Sequence, residues 1–255
     1  MERHSEKFDA IVSLGGFCGT AIQLRARGLR PFSLPFDWLF MESPETIVYL
    51  TKAFERGFDD FCLKENLVDL PWDGHAGVAK YRYRDRLSGY GFIHHFHHSL
   101  EAGGWEETHP VLMRRILRML SLFQPNRRIL LILAMPFEFD LGLAANLLET
   151  LRRVYPQTEF QMQIVQLSAN LPKGVLGETV EDTRFYGVVR YARPRDDYDI
   201  NRPSSEWRFL DTIQLTGEGK KKIKGVAKLI YRLWKWSSKY LLTKGYRCWG
   251  IRFTA

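Results

Sequence analysis

A single-domain, three-layer α/β/α fold with a mostly parallel sheet is what the sequence predicts, on two observations. The stretch Arg128-Ile-Leu-Leu-Ile-Leu-Ala134 is continuously apolar, as a strand buried on both faces of a parallel sheet must be. Around it, helical and strand periodicities alternate along the chain, the pattern of an open sheet with helices on both faces. The 255 residues and 45% hydrophobic content suffice for one sizeable core.

Taken in order, Phe8, Ala10, Ile11, Val12 and Leu14 read as a short buried strand, which breaks at Gly15-Gly16 and leads into a helix carrying Ala21, Ile22 and Leu24. Pro31 and Pro35 keep residues 28–40 extended and well fixed. Ser43 and Pro44 are the N-cap and first position of a helix running to about Phe54. From Tyr81 to Ile93 the period shortens to two around a Ser88-Gly89 turn, an inserted β-hairpin. A helix is predicted over His109 to Phe123, with Val111, Leu112, Ile116 and Leu120 inward and Arg114, Arg115 and Arg118 elsewhere on its surface. After the Arg128–Ala134 strand come a helix from Leu141 to Tyr155 and strands over Phe160–Leu167 and Phe185–Tyr191.

Composition narrows the function classes. Cys18, Cys62 and Cys248 are an odd, scattered set without CxxC spacing, which argues against a disulfide framework or a thiolate zinc cage and for a reducing compartment. The charged opening Met1–Lys7 lacks a signal-peptide apolar segment, and no run of about 20 apolar residues is present to span a bilayer. The expected location is cytoplasmic. The net charge of +8 belongs to the end of the chain: Lys220 to Arg252 holds eleven Lys and Arg and no Asp or Glu, leaving −3 elsewhere. Domain organisation is accordingly read as 1–217, an α/β cysteine-enzyme-like domain, followed by 218–255, a basic amphipathic helix and tail. Lys221, Lys224, Lys228, Arg232, Lys235 and Lys239 form a cationic stripe opposite Ile223, Val226, Ile230 and Trp234. Residues 220–242 suit an anionic membrane surface, which would place the protein peripherally at the inner leaflet, or a helix packed on the domain with its lysines in water. Nucleic-acid binding is the non-enzymatic alternative, and no zinc finger, RNP-like pattern or GXXG loop supports it.

The chemistry-bearing feature is Leu14-Gly-Gly-Phe-Cys18-Gly. A cysteine at a strand-to-helix turn meets the unpaired N–H groups of a helix start, which lower a thiol's pKa and can hold an oxyanion near Gly16 and Cys18. The same position also suits a small buried apolar residue. A thiol is mostly protonated at neutral pH, so a nucleophilic Cys18 needs an imidazole beside it. His94 and His95 supply candidates, in the cluster His94-His95-Phe-His97-His98. Asp37, in Pro35-Phe-Asp-Trp38, either orients such an imidazole or binds backbone N–H groups and an arginine such as Arg30. A metal reading of the histidines lacks an accompanying HExxH or paired-carboxylate motif.

These elements also carry a family resemblance. Ser13-Leu-Gly-Gly-Phe-Cys18, Ala21 with Leu24, Gly28-Leu-Arg30, Ser33, Pro35-Phe-Asp-Trp38, Phe92-Ile-His94-His95-Phe96 and the Arg114-Arg115/Arg118 helix closely resemble, over roughly residues 8 to 135, the bacterial domain of unknown function DUF1796, described as papain-like cysteine peptidases. The resemblance implies Cys18 as nucleophile, His94 as base and Asp37 as a supporting residue. Gly16, Trp38, Arg114 and Arg115 are candidate substrate contacts, with solvated surface the alternative for the arginines. His95 stands where an acidic residue is expected in the family, so His94 and His95 both remain as the base. The strand–turn–Cys–helix opening is also similar to SGNH-type esterases and to a capsule-biosynthesis acetyltransferase family. The expected activity is therefore cysteine-dependent hydrolysis of a small-molecule, peptide or glycan substrate without a cofactor. The runner-up is O-acyl transfer to a cell-envelope polysaccharide, which needs CoA or another thioester donor.

Overall fold

A computed structural model describes residues 6–71, 80–168, 171, 177–191 and 205–216. The predicted helix and tail at 218–255, with the membrane-facing stripe and Cys248, lie outside the described residues.

The chain opens with β1 (Glu6–Phe8) and β2 (Ala10–Ser13), two parts of one strand direction divided at Asp9. Asp9 holds the division: its carboxylate accepts from Arg127 Nη1 at 2.8 Å, Thr216 Oγ1 at 2.7 Å and the Arg128 N–H at 2.9 Å. Helix α1 (Gly19–Ala26), the short β3 (Phe40–Met41) and α2 (Glu45–Arg56) follow. Next come β4 (Leu67–Asp69), β5 (Tyr81–Asp85) and β6 (Tyr90–Phe96). The chain continues through α3 (Gly104–Leu120), β7 (Arg128–Met135), α4 (Leu141–Val154) and β8 (Glu159–Leu167). It ends in β9 (Gly177–Val180), β10 (Gly187–Tyr191), a 3₁₀ segment at Ser205–Thr212 and β11 (Ile213–Leu215).

The central sheet has the order β2-β7-β8-β10-β9, parallel except for β9. β7 is its spine, buried from Ile129 to Met135, as its unbroken apolar run requires. Alternate β7 residues serve two cores. Ile129, Leu131, Leu133 and Met135 join Leu147, Leu148 and Leu151 of α4 and the α2 side chains Ile47 and Leu50. Leu130, Ile132 and Ala134 pack with Leu24, Trp207 and Leu210 on the other face. Helical elements thus cover both faces, giving the mixed α/β architecture that periodicity predicts.

The inserted hairpin proves to be the middle of a four-stranded antiparallel sheet, β3-β6-β5-β4. β3 and β4 are only two and three residues long, too short for a period-two pattern to register. α3 covers this sheet through Leu112, Ile116 and Met119. It begins at Gly104, five positions before the predicted start, with Pro110 inside it. Among the described residues no helix is long and apolar enough to cross a membrane.

Candidate active site

The two sheets meet at Gly15-Gly16, and the meeting explains both glycines. Gly15 (φ +93°) and Gly16 (φ +111°) adopt backbone that side chains disfavour. A Cβ on Gly16 would lie 1.3 Å from the Ala134 carbonyl oxygen, so the turn is pressed against the carboxyl end of β7. On its other side Gly16 bridges Phe40 and accepts the Met41 N–H at 3.1 Å, joining β2 to the antiparallel sheet. Tyr90 of β6 reaches under the turn and donates to the Leu14 carbonyl at 2.7 Å. Carboxyl ends of parallel strands are where open α/β sheets place ligands.

The turn delivers Cys18 to the N-cap of α1, half-buried, with its side chain capping none of the first-turn N–H groups. Burial pushes the Cys18 thiol up from its ordinary value, and its own backbone N–H only partly offsets this. Neither imidazole contributes, so the resting thiol is protonated and no thiolate–imidazolium pair is preformed. Catalytic hydrogen bonds are often long before substrate binds and tighten with it.

Asp37 takes the arginine alternative. It is buried, and its Oδ2 accepts from Arg30 Nε at 2.7 Å and from the Leu34 N–H at 2.8 Å. Burial pushes its carboxyl up, against the pull of Arg30 and the Leu34 N–H. Arg30 also donates to Ser33 Oγ at 2.7 Å and lies 5.5 Å from the Trp38 ring. Arg118 donates to the Ser33 carbonyl at 2.8 Å and covers Phe32, so it clamps the loop rather than merely facing water. Asp37 therefore acts through loop 30–38, fixing where Trp38 stands. The cavity under this loop, beside Ile11, Leu24, Arg30 and Asp37, is about 10 Å³, room for at most about one water.

His94 packs edge-on against Trp38, ring centroids 5.8 Å apart. Its aim follows from a β6 irregularity: Tyr83 pairs with Phe92 but Tyr81 pairs with Phe96, so β6 carries extra residues across His94 and His95. His95 turns the other way, its ring 5.7 Å from Phe92 and its Nδ1 buried without a hydrogen-bond partner. Burial, then the charges of Arg115, His94 and His97, push His95 down to about 3. It is neutral at physiological pH and too weak a base for proton transfer there, whereas His94 is half-buried beside Trp38. His97 and His98 are exposed, with His98 Nδ1 2.9 Å from Glu107. Among the described residues no group of three or more His, Cys, Asp and Glu is placed to hold a metal.

His95 carries a pH prediction. An unfolded histidine titrates near 6.5, so the unfolded chain binds a proton that folded His95 refuses until about pH 3. Stability is therefore lost as pH falls through this window, by roughly 1–2 kcal/mol between pH 7 and 5 from this residue alone. Urea unfolding at the two pH values should show that loss, and His95→Gln should reduce it.

Arg114 and Arg115 are half-buried on α3. Burial leads the influences on Arg115, followed by the attraction of Asp37 and repulsion from Arg30, Arg118 and Arg114. Sequence reasoning did not assign Tyr90 or the Arg118 clamp. Their partners are main-chain oxygens, which no residue pattern announces.

The fold and this turn define a mixed α/β protein with a cysteine presented at the carboxyl edge of its sheet. Residues 9–133 match the family described as "Putative papain-like cysteine peptidase (DUF1796)", so the resemblance carried by the motifs holds over that stretch. "Uncharacterized protein R408" of Acanthamoeba polyphaga mimivirus is 28% identical over 140 residues, covering 48% of this chain and 59% of that protein. The chain thus spans less than two thirds of this relative's length, and the relative is viral. No solved structure matches the chain.

Proposed function

We propose that the protein is a cysteine-dependent acyl hydrolase of the papain-like peptidase type, with Cys18 as nucleophile and His94 as its base. The placement of Cys18 carries the reading: a glycine turn pressed between β7 and the antiparallel sheet holds this half-buried thiol at the start of α1. Substrate binding brings His94 and Cys18 together. The thiol proton passes to His94 and the sulfur bonds to the carbonyl carbon. First-turn N–H groups stabilise the oxyanion, and His94 returns the proton to the leaving group. Water then cleaves the thioester and regenerates the thiol. A sugar hydroxyl in place of that water would complete an O-acyl transfer instead.

Iodoacetamide labelling at graded pH, read by mass spectrometry, tests the thiol. Cys62 is fully buried beside Asp85, which pushes its thiol further up than that of Cys18. Cys18 is expected to label before Cys62, at lower pH, and a substrate from a screen of peptides, esters and acyl thioesters should slow it. Labelling of Cys62 before Cys18, or no protection by any turned-over substrate, would overturn the assignment.

A further inference from the structure

We propose that Arg115, supported by its α3 neighbours, binds an oxyanion group, a phosphate or a carboxylate, carried by the substrate; the role as a substrate contact rests on the hydrolase reading. Three guanidiniums, those of Arg30, Arg114 and Arg118, act on Arg115, and Arg30 and Arg115 act on one buried carboxylate, Asp37. Arg30 is committed to Asp37 and Ser33, and Arg118 to the Ser33 carbonyl and the Phe32 ring. The guanidinium of Arg115 makes no hydrogen bond or ion pair with another described residue. It is nevertheless half-buried, and the single carboxylate of Asp37 only partly offsets the repulsion from Arg30, Arg118 and Arg114.

A second observation lies beside it. His95, whose charge state feels Arg115, keeps its Nδ1 buried with no partner. An oxyanion on the Arg115 fork supplies the missing negative charge, and a protonated oxygen or the N–H tautomer of His95 completes the second contact. The planar fork suits carboxylate and phosphate alike. Arg115 also acts on Asp37, which adjoins Trp38, the ring on which His94 packs, so the anion site and the proposed reacting groups share one neighbourhood.

The test uses the full chain at constant ionic strength. Inorganic phosphate and, separately, acetate are titrated while the His95 ring signals are followed by NMR. One of the two anions is expected to shift those signals saturably and so identify the group. Arg115→Gln should weaken that binding by roughly tenfold or more, and Arg115→Lys, which keeps the charge without the fork, by less. Arg153→Gln, on α4, is the control for diffuse charge and should leave binding unchanged. Absence of a saturable shift with either anion, equal binding by Arg115→Gln, or equal loss in the Arg153 control would each overturn the proposal. Binding is read without turnover, so a failure of Cys18 as nucleophile leaves this result standing, and the converse also holds.

Discussion

Gly16→Ala is expected to cost at least about 4 kcal/mol, or to abolish cooperative folding, because two penalties combine at one atom. The added Cβ would stand 1.3 Å from the Ala134 oxygen and 2.5 Å from its carbon, and these are backbone atoms of the central strand that cannot swing aside. Relief requires β2 and β7 to separate, or φ to leave +111°, which re-aims Cys18. Gly15→Ala is the milder companion: its close neighbour is the Tyr90 ring at 3.0 Å, a side chain, although its φ still carries a strain of roughly 1–2 kcal/mol. Urea or thermal unfolding of both variants would establish the order. A Gly16→Ala protein within about 1 kcal/mol of its parent would mean that the turn is not pressed against β7.

Cys18→Ala is expected to leave the fold nearly intact and to lower turnover by at least about 10³-fold on any substrate the screen yields. The thiol caps no helix N–H and is half-buried, so its removal opens little cavity. Under the proposed mechanism it is also the atom that bonds to substrate, and neither water nor His94 replaces it. Cys62→Ala provides the opposite signature. Cys62 is fully buried in the core, so removing its sulfur leaves a cavity, and that variant should lose stability while retaining the chemistry. Turnover unchanged in Cys18→Ala would end the nucleophile assignment whatever its labelling behaviour.

The features visible in the sequence were those whose physics is local. The apolar run of β7, the α4 periodicity and the paired glycines before Cys18 each imply their own conformation, and each stands where its pattern placed it. The antiparallel sheet was only partly visible, because β3 and β4 borrow their stability from β6 and β5 rather than from a pattern of their own. The choice between the histidines was invisible for a similar reason. His94 and His95 are chemically equal neighbours until the β6 irregularity turns one toward Trp38 and the other against Phe92. Asp37 was readable both as a partner for imidazole and as a partner for Arg30. The ring of contacts that Arg30, Ser33 and Leu34 make around it resolves its place in the fold, as the brace of loop 30–38.

The division of the strand at Asp9 also bears on how the molecule comes into being. Its carboxylate holds Arg127 and Thr216, which lie 118 and 207 positions away from it along the chain, whereas β4, β5 and β6 pair within a short span. Closing short loops is entropically cheap and closing long ones is slow. On a growing chain the antiparallel sheet can therefore form while Gly16 still awaits Ala134, so the Cys18 thiol is synthesised early but acquires its setting late. Until then it is an ordinary cysteine.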